Sequence, residues 1–140
     1  MKLLGLDGKE HKLTFHTKTS AGKNDQNRSK LHLKAREILT NIFPFDIIHE
    51  EVTLPGTKTS TGGSLLYADF FIPSRNLIVE VNGEQHDKHI RFFHKNKLDF
   101  YKAQARDRKK KEWCELNDIT IVYLNHNESE EEWMAKINER

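Results

Sequence analysis

A chain of 140 residues with 23 Lys and Arg, 21 Asp and Glu and 36% hydrophobic residues has room for one domain with a real core, and not for two. Its single cysteine, Cys114, excludes an intramolecular disulfide framework and a cysteine-based zinc site. No apolar run reaches transmembrane length and the N-terminus lacks a signal-peptide core, so an intracellular, non-secreted protein without a membrane partner is expected.

Lys2 to Leu6 and His11 to Phe15 read as short strands around a turn at Asp7-Gly8. Thr17 to Asn27 is polar and reads as a loop or linker. Residues 1–28 are therefore expected as an N-terminal hairpin and basic arm, ahead of a domain spanning 29–140. From Ser29, the residues Leu31, Ala35, Ile38, Leu39 and Ile42 recur at spacings of three and four, which predicts a helix that Phe43-Pro44 ends. Glu37 lies off that apolar stripe, as an ordinary solvated residue would. Ile47 to Leu54 reads as a strand. Gly56 to Gly63 reads as a Gly-rich loop that either follows a substrate backbone or merely closes a hairpin.

The stretch from Leu65 to His86, LLYADFFIPSRNLIVEVNGEQH, carries the chemistry. Leu66, Ala68, Phe70 and Ile72 alternate with Tyr67, Asp69 and Phe71; Leu77, Val79 and Val81 alternate with Ile78, Glu80 and Asn82. Pro73 to Asn76 supplies a turn between them. If Ile72 pairs with Leu77, Asp69 stands opposite Glu80 at about 5 Å between Cβ atoms, near enough for both carboxylates to bind one hard divalent cation. Opposed carboxylates repel unless a cation sits between them, and that cost marks the pair as functional.

Gly83 then gives a sharp turn before Glu84-Gln85-His86, and Lys88 to Lys97 reads as irregular or briefly helical. Asp99 to Leu116 is a long predicted helix with Tyr101, Ala105, Trp113 and Leu116 as core contacts and a strongly basic turn from Arg106 to Lys111. Ile119 to Leu124 is a buried strand. Ser129 is an N-cap with Glu132 completing a capping box, and Trp133 and Ile137 anchor a last helix. The order predicts an α/β domain with a mixed central β-sheet flanked by helices.

Charge is distributed unevenly along this order. Residues 1–34 carry eight basic residues against three acidic, residues 35–87 three against eight, and residues 88–112 ten against three. An acidic centre between basic flanks suits a metal site that holds a polyanion, although each flank taken alone is as often a solvated face.

The unit Asp69-x10-Glu80-x-Asn82, preceded by a helix with Glu37 and followed by a basic helix and a strand, resembles the PD-(D/E)xK, or restriction-endonuclease-like, nuclease superfamily. VEVNGEQH at Val79 to His86, RFF at Arg91 to Phe93 and ARDRKKKEWCELNDITIVYL at Ala105 to Leu124 are similar to the very-short-patch-repair-like, phage and homing-type endonucleases. In those, a Glu-x-Asp-Gly-x-Gln-His block precedes Asp-x-x-Lys on a helix and then a hydrophobic strand. The resemblance covers roughly residues 29 to 125.

The resemblance implies a restriction-endonuclease-like fold and a Mg²⁺- or Mn²⁺-dependent endonuclease acting on DNA, with RNA left open and a homodimer among the expected assemblies. It places the protein in the cytoplasm of a bacterial or phage-infected cell. Asp69 and Glu80 would hold the metal with the Val81 carbonyl as a third oxygen. Gln85 and His86 would line the site, Glu37 would match the acid of the first helix, and Asp107 and Lys110 would match Asp-x-x-Lys. Asn82, Lys88, Arg91, Arg106, Arg108, Lys109 and Lys111 would contact nucleic acid. Asn82 departs from the pattern, standing where the superfamily has Lys and the narrower group often has Asp. Its cationic role then passes to His86, Lys110, another lysine or the metal.

On spacing alone, His86 more simply hydrogen-bonds the backbone after a glycine; beside Glu80, Asn82 and Gln85 it reads as a site residue. Three other readings compete. One is a zinc or HNH-type site from His86, His89 and His94, whose spacing lacks paired ligands. Another is a non-catalytic nucleic-acid-binding module on a degenerate nuclease fold, using the basic flanks with Phe92, Phe93 and Tyr101. The last is a structural partner in a larger phage or repair assembly, for which the residues offer nothing specific.

Overall fold

The first long helix starts where the sequence supplies a cap. Ser29 lies in extended backbone and its hydroxyl accepts the His32 N–H at 3.1 Å, opening α1 (Lys30–Ile42). The last helix, α3 (Glu130–Asn138), opens the same way, with Ser129 accepting from the Glu132 N–H at 3.2 Å and Glu130, Glu131 and Glu132 in its first turn. Between them lie β3 (His49–Leu54), β4 (Leu66–Ile72), β5 (Leu77–Asn82), α2 (Lys97–Leu116) and β6 (Thr120–Asn125). The computed structural model describes residues 1–15, 29–58, 65–83 and 97–140. The expected loop at Thr17 to Asn27, most of the Gly-rich loop through Gly63, and the segment from Glu84 to Asn96 fall outside the described residues.

Among the described residues the chain is mixed α/β, with three α-helices and a four-stranded mixed sheet in the order β3-β4-β5-β6. β3, β4 and β5 run antiparallel, while β6 joins β5 in parallel after the chain crosses over through α2. The β4–β5 turn has the expected residues in a 3-10 form: Pro73 opens it and Asn76 closes it in the left-handed region, at φ 48°. Asparagine tolerates that conformation better than most residues. The resulting register pairs Ile72 with Leu77, as the alternation predicts.

Alternation divides the core between the two faces of the sheet. Phe70, Ile72, Leu77, Val79, Val122 and Leu124 pack against Ala35, Ile38 and Leu39 of α1 and Trp133 and Ile137 of α3. Phe71 and Ile78 belong to the other face, where they cluster with Trp113 and Cys114 of α2. Burial of Trp113, Trp133 and Ile137 agrees with expectation, each at 0% exposure, but Tyr101 is 59% exposed and Leu116 48%. Those two are not core contacts. α2 meets the sheet through Trp113 and Cys114, and ahead of them it carries Lys102, Gln104, Arg106 and Arg108 into solvent.

The N-terminal hairpin pairs β1 (Lys2–Leu4) with β2 (Glu10–Lys12), shorter than predicted but around the same Asp7-Gly8 turn. It is fastened to the domain. Leu3 and Leu13 enter the α2-side core, and the Asn117 amide bonds the Leu4 backbone at both its N–H (2.7 Å) and its carbonyl (2.9 Å). Where the hairpin meets the β3–β4 connection, a Cβ on Gly56 would come within 2.4 Å of the Gly5 backbone, so both positions require glycine.

Thr57 holds the root of that connection. It is 2% exposed, donates to the Leu54 carbonyl at 2.7 Å and accepts the Leu66 N–H at 2.9 Å. Thr57→Val keeps the shape and strands the amide, so it lowers stability by about 1–3 kcal/mol. Urea unfolding checks this: the midpoint falls while the slope stays constant.

Candidate functional site

Continuing the β4–β5 register past Phe70 and Val79 sets Asp69 opposite Glu80, on the face that α2 covers. There the strands are joined by side chains. The Asp69 N–H donates to Glu80 Oε2 at 3.2 Å, and the Val81 N–H donates to Asp69 Oδ2 at 2.8 Å. On the other side of β4, the position opposite Asp69 is Glu51, whose φ of 51° interrupts the ladder between the Glu50–Phe70 and Val52–Ala68 pairs. Backbone held in that sparsely populated region concentrates at functional sites.

Glu80 is the most buried acid of the site, at 4% exposure. Its Oε1 accepts from Lys110 Nζ at 2.6 Å, across from α2. Burial first, then the adjacent Asp69 charge, push the Glu80 carboxyl up to about 8, against the downward pull of Lys110. The repulsion expected between opposed carboxylates is thus met by a cation, and that cation is a lysine side chain. Burial and the Glu80 charge likewise push the Cys114 thiol up to about 12, so it remains a thiol in the core.

Lys110 separates itself from its neighbours by geometry. It lies three residues before Trp113 and four before Cys114, on the helix face that those two bury against the sheet. Arg106, Arg108 and Lys111 are exposed and Lys109 is half-buried. Lys111 places its ammonium 5.1 Å from the ring centre of Tyr123, which pairs with Glu80 across the parallel β5–β6 ladder. Asp107, one turn before Lys111, is near enough to act on the Tyr123 phenol.

Asn82, expected from the resemblance to stand in place of a lysine, is bonded to the neighbouring strand. Its Nδ2 donates to Asn125 Oδ1 at 3.0 Å, at the shared end of β5 and β6. Glu37 is exposed on α1, a helix that packs on the opposite face of the sheet. The structure therefore brings together Asp69, Glu80, Val81 and Lys110, with Asp107 nearby, and does not bring Glu37 to them. Gln85, His86, Lys88 and Arg91, with His89 and His94 of the zinc alternative, fall outside the described residues. Among the described residues no group of three or more His, Cys, Asp or Glu side chains gathers as a metal cage.

On the α1 face a second polar cluster went unread in the sequence. Glu50 accepts from His32 Nε2 at 2.6 Å and from Arg36 at 3.0 Å through both Nε and a terminal nitrogen, and His32 stacks on Phe70 with ring centres 4.4 Å apart. Burial alone would raise the Glu50 carboxyl, but the His32 and Arg36 hydrogen bonds hold it below the usual carboxylate range. The signal was available: His32 falls three residues before Ala35, on the buried stripe. The cluster clamps α1 to β3.

Among the described residues no helix is long and apolar enough to cross a membrane. No family model matches the chain, and no solved structure matches it. It is similar to uncharacterized protein 307L of Invertebrate iridescent virus 6, 41% identical over 68 residues that make up 49% of this chain and 34% of that protein. It is also similar to uncharacterized protein 033L of Invertebrate iridescent virus 3, 38% identical over 60 residues, 43% of this chain and 31% of that protein. Each match spans about a third of the viral protein's length.

Proposed function

We propose that this chain is a metal-dependent endonuclease that hydrolyses DNA phosphodiester bonds on a restriction-endonuclease-like plan. The observation that carries the reading is Lys110 bonded at 2.6 Å to buried Glu80, beside Asp69. Two carboxylates on adjacent strands and one lysine ammonium are the groups such a site needs, and here the lysine comes from α2 in place of Asn82. The donor set fits Mg²⁺ or Mn²⁺: Asp69 and Glu80 offer hard oxygens, the Val81 carbonyl is a third, and Mg²⁺ ordinarily takes one or two protein carboxylates, with water and phosphate filling its other positions. A cation bound there offsets charge on the phosphoryl oxygens and lowers the pKa of its water.

The chain's own groups divide the remaining work. Lys110 donates to a phosphate oxygen, where a fixed positive charge in a dry site is worth most. Arg106, Arg108, Lys109 and Lys111 hold backbone phosphates along α2. Gln85 and His86 keep the roles that the resemblance gives them, contact with the scissile phosphate and placement of the attacking water.

Supercoiled plasmid provides the test. Mg²⁺ or Mn²⁺ supports nicking or linearisation, EDTA stops it, and Asp69→Ala and Glu80→Ala each abolish it. Cleavage that survives EDTA or either substitution sinks the assignment. The second reading, a nucleic-acid-binding module without catalysis, is favoured by the bond that ties Asn82 to Asn125. It predicts a protein that retards DNA on a gel and leaves it uncut with every metal.

A further inference from the structure

Among the described residues, the Tyr123 hydroxyl is the buried side-chain oxygen with no hydrogen-bond partner. A phenol sealed from water without a partner costs stability, and folded proteins rarely keep one. The surroundings of Tyr123 explain its retention. β5 and β6 run parallel and pair Glu80 with Tyr123, so the two side chains leave neighbouring strands on one face, beneath α2. Burial first, then the charges of Asp107 and Glu80, hold the phenol above its ordinary range. It therefore stays protonated and serves as a donor.

The nearest acid in the register is already engaged at both oxygens. Glu80 Oε1 takes the Lys110 ammonium and Oε2 takes the Asp69 N–H. Lys110 has three N–H donors, and turning toward a substrate phosphate draws it off its 2.6 Å contact with Glu80. When it turns to the phosphate, a carboxylate oxygen in a closed site loses its donor, and the idle donor beside it is Tyr123.

We propose that Tyr123 is a positioning residue of the acid site, its hydroxyl taking over Glu80 Oε1 when Lys110 moves to a bound phosphate. This rests on the reading of Asp69, Glu80 and Lys110 as a cation and phosphate site. The hydroxyl is thus unpaired in the resting protein and paired in the loaded one, a pattern opposite to that of a structural tyrosine.

Tyr123→Phe separates the two. Without metal or DNA, the variant unfolds at the same temperature as the wild type or higher, because it loses only an unpaired group. With a short DNA duplex present, calorimetric titration of Mn²⁺ shows affinity lowered about tenfold, the loss of one hydrogen bond to a charged group, and kcat falls while KM for DNA stays constant. A lower unfolding temperature, or an unchanged Mn²⁺ affinity, overturns the proposal and leaves the acid site standing. Wild-type protein that takes up no Mn²⁺ in the presence of the duplex overturns the acid site itself, and the role of Tyr123 with it.

Discussion

On the proposed reading, Lys110→Met lowers kcat for metal-dependent DNA cleavage by about a hundred- to a thousandfold, the usual loss when one donor to the reacting phosphate is removed. Arg108→Met and Lys109→Met leave kcat nearly unchanged, weaken DNA binding and flatten its salt dependence by about one unit for each lost phosphate contact. The contrast follows from rotation around α2. Successive helical residues point about 100° apart, and the face that carries Trp113 and Cys114 into the core directs Lys110 to Glu80. Steady-state kinetics across a salt series measure both effects. If Lys110→Met behaves like Arg108→Met, Lys110 is one more phosphate contact and the site has no lysine of its own.

That distinction shows where the sequence stops being readable. Four basic residues in a row, Arg108 to Lys111, are equivalent by composition, and the neighbouring apolar pattern is weak. The placement of Tyr101 and Leu116 in the core failed for the same reason: both are exposed, because a helix this charged meets the sheet along a narrow strip. The pair Trp113-Cys114 sets that strip, and counting back three and four residues from it reaches Lys110. The Asp69–Glu80 unit was legible because a proline-initiated turn and strict alternation fix a hairpin register locally. α1 and α3 were legible through their serine caps and apolar stripes.

Tyr123 and the His32-Arg36-Glu50 clamp were not, since both arise between elements distant in sequence. The pairing of Glu80 with Tyr123 depends on how far the α2 crossover carries the chain before β6 joins β5. Nothing local encodes that offset. His32 announced its burial through helical spacing, but its partner Glu50 is set by the docking of α1 on β3. Asn82 was legible only as a polar residue two places after Glu80, and its bond to Asn125 again required the parallel register.

Glu80→Gln raises the stability of the metal-free protein at pH 8 and eliminates cleavage at every pH. The sign comes from linkage. Burial and Asp69 push Glu80 up to about 8 from an ordinary value of 4.5, so between those two values the folded protein holds a proton that the unfolded chain has lost. The stability of the neutral form is fully present below pH 4.5 and drains away as pH climbs toward 8, by an amount on the order of a few kcal/mol. Glutamine keeps an oxygen to accept from Lys110 and never ionises, so this decline disappears in the variant. Mg²⁺ acts on the same equilibrium in the opposite direction, since a carboxylate must lose its proton to bind the ion. Wild-type affinity for Mg²⁺ therefore rises with pH up to about 8 and levels off above it, and Mg²⁺ restores the stability that ionisation removes. Thermal unfolding from pH 5 to 9, with EDTA and with Mg²⁺, measures all of this on one protein and one variant. A Glu80→Gln protein that unfolds below the wild type at pH 8, or a wild-type pH slope that survives the substitution, shows that Glu80 is an ordinary ion-pair partner of Lys110 and that the strain in the site is not electrostatic.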